Sequence, residues 1–165
     1  MINGQPEVEI TWLAPLFTNA GGADVTVGVT SDDRWFLTFD SVIPLTPDTI
    51  HPALLPLLQD GFGGGFHTVH ELVCDRLVSA GLCSASVDTF PFLAPVRTAF
   101  SGSSAFWVDL AAEWLGYVSY EEPFARTLLT LTDDKALSQD VRHLIRRHLH
   151  EWEAENGLSL VRANS

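Results

Sequence analysis

The chain has 165 residues and a mass of 18.1 kDa, which suits one domain and leaves little room for two independent ones. Apolar residues make up 46% of the sequence and charged residues only 18%, so the composition excludes an intrinsically disordered chain. With 21 acidic residues against 9 Lys and Arg, the formal charge is −12. This charge argues against direct binding of nucleic acid or of an anionic membrane surface.

The first ten residues predict the compartment. They contain no basic residue and no apolar core, unlike a secretory or mitochondrial targeting signal. No uncharged stretch reaches the roughly 18 to 20 apolar residues of a membrane span. We therefore expect a cytoplasmic protein without membrane contact, in which the only two cysteines, Cys74 and Cys83, are reduced thiols and not a disulfide.

Alternating apolar and polar residues predict three antiparallel strands in the N-terminal part of the chain. The predicted strands are residues 7–13, 24–30 and 34–40. The loop 31–33 is short enough for a hairpin between the second and third strands. The residues that we expect to face the core are Val8, Ile10 and Trp12 in the first strand and Val25, Val27 and Val29 in the second.

Apolar residues at helical spacing predict several helices after Pro44. The first predicted helical segment is residues 46–60, which Pro52 and Pro56 interrupt. Two further helices are predicted at residues 66–80 and 105–115. A fourth helix begins at the capping-box sequence 119–122, and a fifth covers about residues 133–155 and ends at Gly157. Residues 82–103 show no sustained period, and we interpret them as a long ordered connection.

These elements predict an α+β fold in which an N-terminal three-stranded antiparallel meander packs against four or five C-terminal helices. We expect a single α+β domain over residues 1–165, with a sheet portion at 1–43, a helical portion at 44–157, and a tail or extra strand at 158–165. The sheet end is the acidic end, because residues 1–60 contain eight acids and one Arg, a net charge of −7.

Aromatic residues at this acidic end indicate a surface for a partner. Five Trp and ten Phe are difficult to bury completely in 165 residues, and exposed aromatics surrounded by acids are typical of partner-binding patches. The candidate residues are Trp35, Phe36, Phe39, Phe62, Phe66, Asp32 and Asp33.

His67, His70 and Cys74 form the grouping that most resembles a metal site. Their spacing of i, i+3 and i+7 places them on one edge of the same predicted helix, and zinc binds both imidazole nitrogen and thiolate. The spacing matches neither zinc fingers nor the His-Glu-x-x-His zinc peptidases. The alternative is that Cys74 is a small buried residue and the histidines lie at the core boundary. We expect no other cofactor.

Other groups have ordinary structural explanations. Asp109 and Glu113, one helical turn apart, could bind a divalent ion or divide into an acid and a base, but they also suit a solvated helix edge. His148 lies on the apolar stripe of the last helix, where a histidine is usually a core residue.

The glycine run 61–65 precedes a predicted helix, but it lacks the preceding strand and the Lys-Ser/Thr pair of a phosphate-binding loop. The one basic cluster is Arg142, Arg146, Arg147 and His150.

The sequence favours a binding module over an enzyme. An acidic, aromatic-rich domain of the inhibitor or immunity-protein type would dock on a basic protein partner, with acids steering the encounter and aromatics supplying affinity. Two alternatives stay open: a structural subunit of a homo-oligomer, and a metal-dependent enzyme that uses the His67, His70 and Cys74 edge.

Overall fold

The computed structural model describes residues 7–59, 65–102 and 104–160. Over these residues, an antiparallel five-stranded sheet precedes five α-helices and two 3₁₀ helices, which confirms the α+β fold. The strands are β1 (Ile10–Trp12), β2 (Phe17–Thr18), β3 (Asp24–Thr30), β4 (Trp35–Thr38) and β5 (Val42–Leu45). The α-helices are α1 (Phe66–Ser79), α2 (Leu93–Phe100), α3 (Ala105–Trp114), α4 (Glu122–Leu131) and α5 (Gln139–Asn156). The 3₁₀ helices are Pro52–Leu58 and Ser84–Thr89.

The sheet has the strand order β1-β3-β4-β5, and β2 also pairs with β3, so β1 and β2 share one edge. Backbone hydrogen bonds continue between them, from Leu13 N to Val27 O at 3.0 Å and from Leu16 N to Val25 O at 2.8 Å. Pro15, which has no N–H to donate, interrupts this edge. The sheet therefore has two more strands than the predicted meander, namely β2 and β5.

One face of the sheet forms part of the hydrophobic core. Val27 lies opposite Leu37 and Val29 lies opposite Trp35, and all four side chains are buried. Val25 is buried as well, so the prediction that the valines of β3 face the core is confirmed. We call this the inner face of the sheet.

Helices α1 and α3 lie where the periodicity predicts them. Residues 82–103, which we interpret from the sequence as a long ordered connection, contain two helices that the sequence did not predict, the second 3₁₀ helix and α2. Every residue of α2 except Arg97 is buried. Helix α2 is only eight residues long and has Pro95 in its first turn, so it offers too few residues for a sustained helical period.

The last helix begins later than predicted. Helix α5 starts at Gln139 and not near residue 133, because Oγ of Ser138 caps it by accepting a hydrogen bond from Val141 N at 3.2 Å. It ends at Gly157 as predicted, and this glycine has a left-handed φ of 63°.

Two other predicted segments are also corrected. Helix α4 starts at Glu122, and the cap residue Glu121 makes no side-chain capping bond, so the sequence 119–122 is not a capping box. In the segment 46–60, the helical part is the 3₁₀ helix Pro52–Leu58, capped by His51 Nδ1, which accepts a hydrogen bond from Ala53 N at 3.1 Å.

Residues 158–160 form no strand, so the part of the 158–165 segment that the structure describes is a tail. Cys74 and Cys83 are both free thiols. Within the described ranges, none of the helices combines the length and the apolar character needed to cross a membrane.

Candidate partner-binding surface

The face of the sheet opposite the inner face carries a row of four residues, one from each of four strands. Trp12 pairs with Gly28, Gly28 with Phe36, and Phe36 with Pro44. Because side chains alternate along a strand, these residues point away from the side of the sheet that Val27 and Leu37 occupy. We call Trp12, Gly28, Phe36 and Pro44 the outer row.

The outer row is apolar and accessible. Trp12 is 39% exposed, Pro44 is exposed, and Phe36 is half-buried. Val42, two residues before Pro44 and therefore on the same face, is 55% exposed. Antiparallel sheets with one solvated face usually alternate polar residues onto that face, so an apolar row there is a departure from the ordinary pattern.

Gly28 allows the neighbouring side chains to lie directly over the sheet backbone. A Cβ atom at Gly28 would lie 2.5 Å from Cγ2 of Ile10 and 2.7 Å from Cε3 of Trp12. Ile10 and Trp12 therefore cover Gly28 on the outer face. This placement corrects the expectation that Val8, Ile10 and Trp12 face the core: the side chains of Val8 and Trp12 are exposed.

The strands and their loops carry an excess of negative charge. Residues 7–45 contain six acids and one base, so their net charge is −5. The acids are Glu7, Glu9, Asp24, Asp32, Asp33 and Asp40. The one base, Arg34, is paired with Asp32, with 2.9 Å between Nε and Oδ2. The strand end of the molecule therefore has a negative electrostatic potential.

The hairpin turn between β3 and β4 holds the carboxylate of Asp32 and the backbone of Asp33 in fixed positions. The Thr30 hydroxyl donates a hydrogen bond to Asp32 Oδ1, and this bond, together with Arg34, lowers the pKa of Asp32. Asp33 adopts a left-handed φ of 59°, and its N–H donates to Thr30 O at 3.0 Å. Asp32 is therefore an exposed, ionised group at neutral pH.

The structure separates the predicted partner-binding residues. Phe36 lies in the outer row, and Asp32 and Asp33 lie in the turn that precedes its strand. Trp35 is corrected to a core residue, because it is only 3% exposed and its Nε1 donates to Thr89 Oγ1 at 2.9 Å. Phe39 is half-buried, with its ring edge-on to His51 at 6.1 Å between centroids.

Phe66 belongs to a different aromatic group. It is half-buried and its ring lies parallel to that of Tyr117, 5.0 Å between centroids. Phe62 lies outside the described residues. Trp12 and Pro44 were not among the predicted partner-binding residues. The sequence signal that could have found Trp12 is a glycine in the middle of β3, which marks a close approach of neighbouring side chains.

The predicted metal ligands are only partly brought together. Cys74 Sγ lies 3.9 Å from His70 Nδ1, whereas the ring of His67 lies against Tyr117, with 4.8 Å between centroids. Burial, followed by the charges of nearby acids, raises the pKa of the Cys74 thiol. In the part of the chain that the structure describes, no group of three or more His, Cys, Asp or Glu is placed to hold a metal ion.

The other candidate groups lie at the helical end. Asp109 and Glu113 line an open depression of about 410 Å³ between α3 and α5. His148 is half-buried, and its Nδ1 lies 3.3 Å from Glu151 Oε2. In the basic cluster, the guanidinium of Arg146 donates a hydrogen bond of 2.6 Å to Thr132 O, so this cation already has a partner within the protein. Residues 61–64 of the glycine run lie outside the described residues.

Comparison of the chain with protein-family models finds no match, and comparisons with curated proteins and with solved structures find none either.

Proposed function

We propose that the protein is an acidic binding module that docks on a basic protein through the outer row of its sheet. The observation that carries the proposal is the accessible apolar row of Trp12, Phe36 and Pro44 in a part of the chain with six acids and one base. Aromatic anchors supply most of the affinity in many interfaces, and surrounding charges mainly set the rate and the specificity of association.

The size of the outer row suits the centre of an interface. The row crosses four strands, and three interstrand spacings correspond to about 14 Å. Exposed apolar patches with a polar rim mark interaction sites more often than isolated apolar side chains do. Here the rim at the hairpin end is acidic, since Asp32 and Asp33 are both exposed.

The edges of the sheet favour docking on its face over addition of a partner strand. Pro15 interrupts the edge that β1 and β2 form, and its carbonyl oxygen accepts a hydrogen bond from Arg76 Nε at 3.0 Å. Pro44 lies in β5 at the opposite edge, and its carbonyl oxygen accepts from Thr49 Oγ1 at 3.2 Å. Prolines and occupied carbonyls leave a poor template for another strand.

The proposal is tested by capture with matched variants. Wild-type protein, the double variant Trp12→Ser/Phe36→Ser, and the control Phe106→Ser are immobilised and exposed to an extract of the source organism. Phe106 is a suitable control because its side chain is 53% exposed but lies on α3. We expect wild type and control to retain the same basic protein, the double variant to lose it, and salt to weaken the capture.

Three outcomes contradict the proposal. The captured protein could be retained equally by the double variant, or it could be acidic. Alternatively, sedimentation could show that the wild-type protein is a dimer and the double variant a monomer. That result would assign the outer row to self-association. If a basic enzyme is captured, loss of its activity on binding would establish the more specific role of an inhibitor or immunity-type protein.

A further inference from the structure

A groove in the helical part of the protein forms a second accessible surface. Two cavities, of about 380 Å³ and about 220 Å³, share Pro47, Leu93 and Ser119 in their walls. The two cavities therefore adjoin each other, and we call them together the groove. None of its lining residues belongs to the outer row.

The groove is negatively charged. Asp48 and Glu121 line its larger cavity and Asp88 lines the smaller one, and all three are exposed. Among the described residues, the one basic residue of its walls is Arg97, whose Nε donates to Pro47 O at 3.1 Å and whose Nη2 lies 3.4 Å from Asp48 Oδ1. Three carboxylates against one guanidinium leave a net charge of −2 along the groove.

Arg97 is also held by an aromatic ring, so it belongs to the wall and is not free to bind a ligand. Its guanidinium carbon lies 4.8 Å from the centroid of the Phe124 ring. This contact, the bond to Pro47 and the pair with Asp48 together fix the side chain. Because Arg97 pairs with Asp48, the net charge of −2 along the groove is that of Asp88 and Glu121.

Tyrosine rings at the groove are held in place by other rings. Tyr117 is 54% exposed, and its ring is stacked on Phe66 with an interplanar angle of 5°. Tyr120 is parallel to Trp152 at 6.2 Å between centroids and edge-on to Phe124 at 5.4 Å. Rings fixed in this way lose little conformational entropy when a ligand packs on them.

We propose that this groove binds an extended, arginine-containing segment of a partner protein. Guanidinium groups stack on tyrosine faces and form bidentate hydrogen bonds with carboxylates, and the groove offers both groups side by side. Its prolines, Pro47, Pro91 and Pro123, add rigid apolar walls that suit an extended chain. The inference does not depend on the outer row, because the two surfaces have no residue in common.

The test uses the full chain and two synthetic peptides. One is a short Gly-Ser-Pro peptide with arginines spaced along it, and the other has citrulline, which keeps the shape without the charge, at each arginine position. Binding is measured by fluorescence anisotropy and mapped by amide chemical-shift changes. We expect the arginine peptide to bind and to shift amides of Tyr117, Ser119 and Glu121, and the citrulline peptide to bind at least about tenfold more weakly.

Variants then locate the site. We expect Asp88→Asn/Glu121→Gln to weaken binding of the arginine peptide about tenfold, and Tyr117→Ala to weaken it while Tyr117→Phe does not. Asp109→Asn/Glu113→Gln removes the same amount of charge from a different exposed site and should leave the affinity unchanged. Each variant is first compared with wild type in thermal unfolding.

The inference is overturned if the arginine peptide does not bind, if the citrulline peptide binds equally well, or if the Asp109 and Glu113 control weakens binding as much as the groove variant. Chemical-shift changes confined to the outer row would also overturn it. Trp12→Ser/Phe36→Ser should leave peptide binding intact, so failure of the groove and failure of the proposed function are distinguishable.

Discussion

Trp35 Nε1 donates a hydrogen bond of 2.9 Å to Oγ1 of Thr89, and this bond links β4 to the second 3₁₀ helix. The Thr89 hydroxyl in turn donates to Ser86 O at 2.7 Å, and the Trp35 ring is edge-on to Phe90 at 5.0 Å. These contacts hold Trp35 on the inner face of the sheet. Since consecutive side chains of a strand point to opposite faces, they also hold Phe36 on the outer face.

The substitution Thr89→Val tests this link. Valine keeps the shape of the side chain but removes the acceptor, which leaves the buried indole N–H without a partner. We expect the free energy of unfolding to fall by about 1–3 kcal/mol in urea denaturation. Thr127→Val is the control, because the Thr127 hydroxyl is exposed and bonds only within its own helix, to Pro123 O. Equal effects of the two substitutions would refute the structural role of the Trp35 bond.

Gly28→Ala tests the close packing of the outer row. The added methyl group would lie 2.5 Å from Ile10 Cγ2, so Ile10 and Trp12 must move away from the sheet. We expect a loss of about 1–3 kcal/mol in the free energy of unfolding, as for other overpacked sites. Gly21→Ala is the matched control, because the nearest atom to its new methyl group, Asn19 Oδ1, is 3.4 Å away. The packing argument would be wrong if the two alanine variants were equally stable.

The raised pKa of Tyr120 predicts that the protein loses stability at alkaline pH. Burial, and then the carboxylates of Glu155 and Glu151, raise the pKa of Tyr120 from 10.0 to about 12. The folded protein therefore holds this proton more tightly than the unfolded chain does. The contribution to stability is complete below pH 10.0 and is lost as the pH rises to about 12.

The alkaline prediction is checked with Tyr120→Phe. The absorbance of tyrosinate is titrated in both proteins, and the difference between the curves gives the ionisation of Tyr120. We expect that difference to appear above the ordinary tyrosine range, and the unfolding free energy of wild type to fall more steeply than that of the variant between about pH 10 and pH 12. A difference curve centred near pH 10 would contradict the prediction.

The two cysteines should differ in reactivity. Burial, and then Asp75, Asp88 and Glu71, raise the pKa of the half-buried Cys74, whereas Cys83 is exposed. Because thiolate is the reactive form, a disulfide reagent should modify Cys83 rapidly and Cys74 slowly at neutral pH. Cys83→Ser should leave only the slow phase, and a fast phase that persists in this variant would refute the assignment.

The rate at which the disulfide reagent modifies Cys74 also tests the predicted zinc site. If His67, His70 and Cys74 bind zinc, the metal should co-purify with wild type, protect Cys74 from the reagent, and be lost in His70→Ala. Cys74 kinetics that do not change when zinc is added would contradict the zinc prediction. The reagent and the Cys83→Ser protein serve both experiments, so the two results can be compared directly.

Local patterns were sufficient to predict β3, α1 and α3, because in each of them one face is apolar over the whole element. They failed for α2, which is only eight residues long, for β2, which has two residues, and for β5, whose proline is unusual in a strand. The start of α5 was also misplaced, because a capping bond such as that of Ser138 depends on the geometry of the chain before the helix.

The candidate surface was only partly predictable because contacts between residues distant in sequence determine which aromatic rings lie on it. Trp35 and Phe36 are consecutive residues of one strand, so only one of the two rings can lie on the outer face. The choice depends on Thr89 and Phe90, which are distant in sequence. Trp12 and Pro44 join Phe36 through the register of the strands, and the alternation of apolar and polar residues within one strand does not specify its register with the next.

Prolines at both edges of the sheet also limit polymerisation. A sheet with an open apolar face could grow into fibrils if copies of the chain added strand to strand. Pro15 interrupts one edge, and Pro44 occupies the other. Cross-β growth requires an uninterrupted ladder of backbone hydrogen bonds. Both edges of the sheet are therefore poor templates for a strand from another copy of the chain, although Trp12 is accessible on the outer face.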